Sequence, residues 1–182
     1  GWALEMLDGF DFADVSHVCD VAGGHGHLLC SLLKEHAHLE GTVFELPNVV
    51  EEKEQLWAPK LGVEDRCSYV AGDMFEEVPK ADVYLMKNVL HDWNDEECIQ
   101  ILSTIHESAP AQSRLFSIDR IIPDPEISHF AKLFDIHMLV ATVGRVRTTQ
   151  EYADLYENAG WEYLDTRYPE NELMGALDGV IT

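Results

Sequence analysis

Three glycines in four residues, Gly23, Gly24 and Gly26, lie between an apolar run (Val18, Cys19, Val21) and an apolar-periodic segment opening with Leu28 and Leu29. The order reads as strand, tight turn and helix. Glycines suit such a turn because the chain reverses sharply and a ligand must meet bare backbone, while the unpaired N–H groups of the following helix attract negative groups. Residues 41–47 read as a second strand ending in Glu45. That acid stands about twenty residues beyond the glycines, the separation at which nucleotide-binding α/β folds place a ribose-binding carboxylate. Asp73 follows a glycine and precedes Met74 and Phe75, so it can accept from an adenine amino group while the apolar pair covers the ring. His91 opens a His-Asp-Trp tripeptide. An imidazole with a reference pKa of about 6.5 is largely neutral at pH 7 and can take a proton from a hydroxyl.

The glycine pattern narrows the ligand. A dinucleotide fingerprint continues G-x-G-x-x-G; Gly24 and Gly26 satisfy its first two positions, but Leu29 occupies the third, which disfavours NAD and FAD. No Lys-Ser or Lys-Thr pair follows the glycines, so a P-loop is excluded. An adenosine ligand without a phosphate chain remains. S-adenosylmethionine (SAM) fits, with its carboxylate at the glycine turn and its ribose diol on an acid further on. Its sulfonium leaves as a neutral thioether, so methyl transfer needs an aligned nucleophile more than activation of the methyl. The histidine pairs His25/His27 and His36/His38 lack a clear third ligand, and the acids fall at separate strand ends. No metal is expected.

The frame for these groups follows from composition and periodicity. A chain of 182 residues, 46% hydrophobic and 25% charged, can bury one sizeable core and suggests one domain. Its formal net charge of −22 repels nucleic acid and anionic membrane, so neither is an expected partner. Nothing approaches a transmembrane run, and the N-terminal residues do not have the pattern of a signal peptide. Cys19, Cys30, Cys67 and Cys98 are scattered without a C-x-x-C pair. They read as buried thiols in a reducing compartment, hence a cytoplasmic protein.

A short amphipathic helix (Trp2, Leu4, Met6, Leu7) and a loop lead into the glycine unit. A helix over 27–37 follows, then the strand ending at Glu45, then a polar helix opened by Pro47 and Asn48 and running to about Trp57. Strands are predicted over 67–70, 82–87 and 114–122. Asn94, with Glu97 three residues on, predicts a capping box for a helix running to about Ser108. Helices around 130–140 and over 149–158, the latter stopped by Gly160, precede two strand-like runs over 161–168 and 177–182. The alternation predicts a Rossmann-like α/β fold: a mostly parallel sheet with helices on both faces and an antiparallel C-terminal strand. Asp20, Glu45, Asp73, Lys87, His91 and Asp119 then fall at or just past strand ends on one edge, where such sheets bind ligands.

The runs DVAGGHG (20–26), TVFELP (42–47), AGDMFEEVP (71–79), LMKNVLHDWNDEE (85–97) and GRVRT (144–148) resemble the catalytic domain of SAM-dependent O-methyltransferases of the plant caffeic-acid type. Bacterial hydroxyneurosporene and acetylserotonin methyltransferase-like proteins belong to the same group. The resemblance implies a class I methyltransferase that moves a methyl from SAM to a small-molecule, phenol-like hydroxyl without a metal. It implies a cofactor site of Asp20, Ala22, Gly24, Glu45, Asp73, Met74 and Lys87, in which the backbone around Ala22 and Gly24 lines the methionine part, Glu45 holds the ribose and Asp73 and Met74 hold adenine. His91 is implied as general base, Asp119 as its orienting carboxylate, and Met138 as a clamp on an aromatic acceptor. It further implies a homodimer formed through an N-terminal domain, of which residues 1–16 are a loosely packed linker remnant, with residues 17–182 the catalytic domain. The chain departs from the family at Ala22, usually glycine, at Glu45, usually aspartate, and at Asp119 and Val146, where plant enzymes carry two glutamates flanking the base. Val146 is expected to add apolar wall to the acceptor pocket. Two other readings stay open: a non-catalytic SAM-fold protein, supported by Val146, and an NAD-dependent oxidoreductase, for which no Tyr-x-x-x-Lys pair is found.

Overall fold

The computed structural model describes residues 2–122, 145–168 and 174–182. In chain order the elements are α1 (Trp2–Glu5), β1 (His17–Val21), α2 (His27–Glu35), β2 (Glu40–Glu45), α3 (Pro47–Val50), α4 (Trp57–Leu61), β3 (Cys67–Ala71), β4 (Val83–Lys87), a 3₁₀ turn (Leu90–Asp92), α5 (Asp95–Ser108), β5 (Arg114–Ile122), β6 (Arg147–Thr148), α6 (Thr149–Asn158), β7 (Glu162–Arg167) and β8 (Met174–Val180). The strands lie in the order β3-β2-β1-β4-β5-β8-β7, with β6 beside β5. β1 to β5 are mutually parallel, and β8 runs antiparallel to both β5 and β7. The expected antiparallel C-terminal edge is therefore present. From β1 the chain winds one way to β2 and β3 and the other way to β4 and β5, which opens a crevice at the carboxyl ends of β1 and β4.

The central strands are apolar on both sides because helices cover both faces. Val18, Val83, Leu85, Phe116 and Ile118 pack with Leu29, Leu32 and Leu33 of α2; Cys19, Val21, Tyr84, Met86 and Leu115 pack with Ile101, Leu102 and Ile105 of α5 and Tyr156 of α6. Each large apolar side chain so buried contributes roughly 1.5–3 kcal/mol. All four cysteines are buried free thiols. Among the described residues, no helix is long and apolar enough to cross a membrane.

Three expectations are corrected. The single polar helix from Pro47 to Trp57 is two helices: α3 ends at Val50, and the chain turns through exposed Glu51, Glu52, Lys53 and Glu54 before α4. Only Val50 and Leu56 bury in that stretch, a spacing that gives no helical stripe. The N-terminal segment is not loosely packed. Leu4, Met6 and Leu7 are at most 8% exposed and join Phe12, Val15 and the α2 leucines in one core cluster. Asp119, expected at a strand end, lies inside β5, which has the expected bounds of 114–122 and continues past Asp119 beside β8 and β6. The helix expected around 130–140 lies outside the described residues.

Candidate active site

The glycine turn connects β1 to α2 with three left-handed residues, Ala22 (φ 54°), Gly24 (φ 58°) and Gly26 (φ 85°). At Gly26 an added Cβ would stand 2.7 Å from Val43 Cγ2 and 2.9 Å from the Tyr69 hydroxyl, so glycine is required by space as well as by torsion. At Gly23 it would stand 2.6 Å from Asp20 Cγ: the Asp20 carboxyl is packed directly under the turn. Asp20 is 1% exposed, and neither of its oxygens completes a hydrogen bond among the described residues. Burial pushes its pKa up to about 7, against the pull of the Leu29 amide and the Lys87 ammonium. Lys87 ends β4, the strand next to β1.

Glu45 ends β2 and closes over the same turn. Its Oε2 accepts from the Gly24 N–H at 2.9 Å and its Oε1 from the Leu46 N–H at 2.8 Å. Beyond it opens a cavity of about 470 Å³, lined on one side by Ala22, Glu45, Asp73 and Met74 and on the other by Asn88, Asp92 and Trp93. Asp73 Oδ1 accepts from the Phe75 N–H at 2.9 Å, which shapes the turn after β3. The Phe75 and Trp93 rings meet edge to face at 4.8 Å and bridge the two sides.

His91 sits in the 3₁₀ turn immediately behind the Asp92 wall, with its side chain 10% exposed. Its Nδ1 lies 2.6 Å from Asp119 Oδ1, its backbone N–H donates to Asp119 Oδ2 at 3.3 Å, and its Nε2 lies 3.4 Å from Asp92 Oδ1. With Nδ1–H donating to Asp119 in the neutral ring, Nε2 carries the basic lone pair. Burial alone would lower the His91 pKa; the hydrogen bond and charge of Asp119, with the charge of Asp92, outweigh it and raise the pKa above 6.5. The turn is bounded by α5, whose capping box joins Asn94 and Glu97 at 2.9 and 3.0 Å as the sequence predicts.

Ala22, Glu45, Asp73 and Met74 thus share one cavity; Asp20, Gly24 and Lys87 lie beneath or beside its glycine rim, and His91 and Asp119 stand behind the opposite wall. Met138 lies outside the described residues. Val146 is buried and is not among the residues lining the cavity, so the apolar wall expected of it is not part of the described pocket. Sequence reasoning passed over Asp92 and Asn88, although both lie inside the 85–97 run that it singled out. His25 meets Glu52 at 2.7 Å and His38 meets the Phe12 carbonyl at 2.9 Å, ordinary structural partners.

Comparison with known proteins gives the family. The phenazine O-methyltransferase of Lysobacter antibioticus is 35% identical over 160 residues, covering 87% of this chain and 47% of its own length. The mitomycin biosynthesis 6-O-methyltransferase of Streptomyces lavendulae is 38% identical over 159 residues, covering 87% and 45%. The chain therefore spans about half the length of the curated relatives it matches. An O-methyltransferase from neocarzinostatin biosynthesis, solved with S-adenosyl-L-homocysteine and 1,4-dihydroxy-2-naphthoic acid, superposes with a TM-score of 0.86 at 27% identity over 99% of this chain and 53% of its own. The profile of the O-methyltransferase domain matches residues 2–162. With its class I methyltransferase sheet and its glycine turn, this chain belongs to the O-methyltransferase domain family.

Proposed function

We propose that this chain transfers a methyl group from SAM to a phenol-like hydroxyl of a small molecule, with His91 as general base and without a metal. The observation that carries the reading is the His91–Asp119 pair, 2.6 Å apart, set behind one wall of a cavity whose other wall holds Glu45, Asp73 and Met74. The residues fit SAM: the buried Asp20 carboxyl, with no hydrogen-bond partner among the described residues, suits an ammonium above the glycine turn. Glu45 keeps lone pairs for two ribose hydroxyls, and Asp73 with Met74 suits adenine. When bound, SAM supplies a methyl on a sulfonium that departs as a neutral thioether.

The chain's own residues do the remaining work. The apolar walls exclude water and align the acceptor, where most of the rate advantage of such a transfer arises. His91 Nε2 takes the hydroxyl proton, worth roughly 10²–10⁴ in rate, and Asp119 stabilises the imidazolium as it forms. The 1,4-dihydroxy-2-naphthoic acid held by the neocarzinostatin enzyme is the kind of ring this cavity would take.

Calorimetry with SAM, S-adenosylhomocysteine and NAD, followed by an acceptor screen with mass detection in the presence and absence of EDTA, tests the proposal. Binding of SAM and its demethylated product but not NAD, with EDTA-resistant methylation, is expected. Binding without transfer to any acceptor would favour the non-catalytic reading, and turnover abolished by EDTA and restored by magnesium would overturn the metal-free one.

A further inference from the structure

Arg147 stands in the segment that the family resemblance singles out and whose neighbour Val146 gives the base no carboxylate. It is completely buried. From β6 its guanidinium reaches the turn that carries His91: Nη1 donates to the Leu90 carbonyl at 3.0 Å and Nη2 to the Trp93 carbonyl at 2.9 Å. One planar fork thus holds the two carbonyls that bracket His91 and Asp92. Nε donates to Asp95 Oδ1 at 2.8 Å, and Nη1 also reaches the Arg145 carbonyl at 3.2 Å. A buried cation is costly, and a well-packed apolar side chain of similar volume often serves stability as well or better. Core filling alone does not account for this one.

The register explains how it acts. β6 pairs with β5 so that Arg147 lies opposite Ile121, two residues beyond Asp119. The two side chains that grip the His91 turn, one by its ring and backbone N–H and the other by its carbonyls, therefore come from adjacent strands at nearly the same level. The charged and titratable groups around them are Asp119 and Arg120 of β5, Asp92 of the turn, Asp95 and Cys98 of α5 and Tyr152 of α6.

We propose that Arg147 is a positioning residue for methyl transfer, clamping the Leu90 and Trp93 carbonyls so that His91 stays against Asp119 with Nε2 directed at the acceptor. The role rests on the reading of His91 as base. Lysine keeps the charge but cannot span both carbonyls and Asp95 with one planar fork. Displacement of a reacting group by about an ångström can cost a hundredfold in rate.

Arg147→Lys is the test, read by kcat, acceptor KM, the dissociation constant for SAM, the unfolding midpoint and the NMR titration of the His91 ring. The expected result is a kcat lower by about tenfold to a hundredfold, unchanged SAM affinity, and a His91 titration moved to lower pH as the ring slips from Asp119. If that variant does not fold, Asp95→Ala, which frees the guanidinium from its half-exposed anchor, should move kcat and the titration in the same directions by less. Wild-type kcat and titration in whichever variant folds would overturn the clamp. The titration is read without turnover, so a displaced His91 in a chain that methylates nothing would sink the methyltransferase reading and keep the clamp. An undisplaced His91 in an active chain would do the reverse.

Discussion

The Asp119 carboxylate holds His91 twice, through the ring at 2.6 Å and through the backbone N–H at 3.3 Å. β4 ends opposite Ile118, so Asp119 is the first β5 residue beyond the reach of β4, level with the turn that β4 feeds. A carboxylate there fixes both the tautomer and the place of the imidazole. His91→Ala should remove most turnover, on the order of 10²–10⁴-fold, and leave SAM affinity nearly intact. Asp119→Asn should depress kcat strongly in the wild type and hardly at all in the His91→Ala background. Equal losses in both backgrounds would mean that Asp119 acts on something other than the base.

The raised His91 pKa sets a pH dependence. As the proposed base His91 would work only when neutral, so activity should rise with pH and reach half its plateau above 6.5, and Asp119→Asn should move that midpoint lower. Stability runs the other way. A histidine whose folded pKa exceeds its unfolded value binds the extra proton in the fold, and its stabilisation is present below the unfolded pKa and lost as pH rises through the folded one. Unfolding midpoints measured across that window should decline more in the wild type than in His91→Ala.

Glu45 braces the turn through the Gly24 N–H and, in the proposed function, also holds the ribose. Replacing it with alanine removes charge-assisted hydrogen bonds worth about 1.5–3 kcal/mol to a ligand, so SAM should bind roughly ten- to a hundredfold more weakly. Because Oε2 also accepts from the Gly24 N–H, Glu45→Gln, which can keep an acceptor there, should lose less. Calorimetry giving the wild-type dissociation constant for both variants would move the ribose site elsewhere.

Ala22 adopts a left-handed conformation that favours glycine, φ 54°. A left-handed non-glycine residue costs about 1–2 kcal/mol, partly offset by the greater unfolded entropy of glycine. Ala22→Gly should raise the unfolding midpoint by about 2–4 °C. A midpoint at or below that of the wild type would show that the alanine methyl packs usefully at the cavity rim.

What could be read from residues alone was what depends on neighbours in sequence. The buried strands announced themselves as apolar runs, the α5 capping box as Asn94 with Glu97, and the glycine turn by its composition. What escaped depends on contacts distant in the chain. The bounds of β5 were legible, but not that β4 stops level with Ile118 while β8 and β6 flank the rest, which is what sets Asp119 beside the His91 turn. The N-terminal segment packs against the α2 leucines, a contact that no local pattern reveals. Arg147 escaped because an arginine is normally a surface residue; only the fold shows it at the back of the base, although the motif containing it was in plain view.

Asp20 offers the sharpest separation of stability from function. Its carboxyl is buried without a hydrogen-bond partner among the described residues, and its pKa of about 7 lies above the ordinary 3.8, so the fold prefers it neutral. Between those two values the folded chain holds a proton that the unfolded chain has released. Stability therefore falls as pH rises from about 4 to 7 and stays reduced above, the opposite of a salt-bridged carboxylate. Asp20→Asn keeps the shape and removes the ionisation. In the absence of SAM it should raise the unfolding midpoint at pH 8, by on the order of 1–3 kcal/mol in stability, and help much less at pH 5, where the wild-type group is already largely protonated. If the carboxylate faces the SAM ammonium, the same change should weaken SAM binding, most of all at pH 8, and the wild type should gain more thermal protection from SAM than the variant does. A variant no more stable than the wild type at pH 8 would mean that Asp20 is ionised and paired in the free protein. A variant that is more stable and binds SAM as well as the wild type would make the carboxyl a packing element of the turn with no part in holding the cofactor.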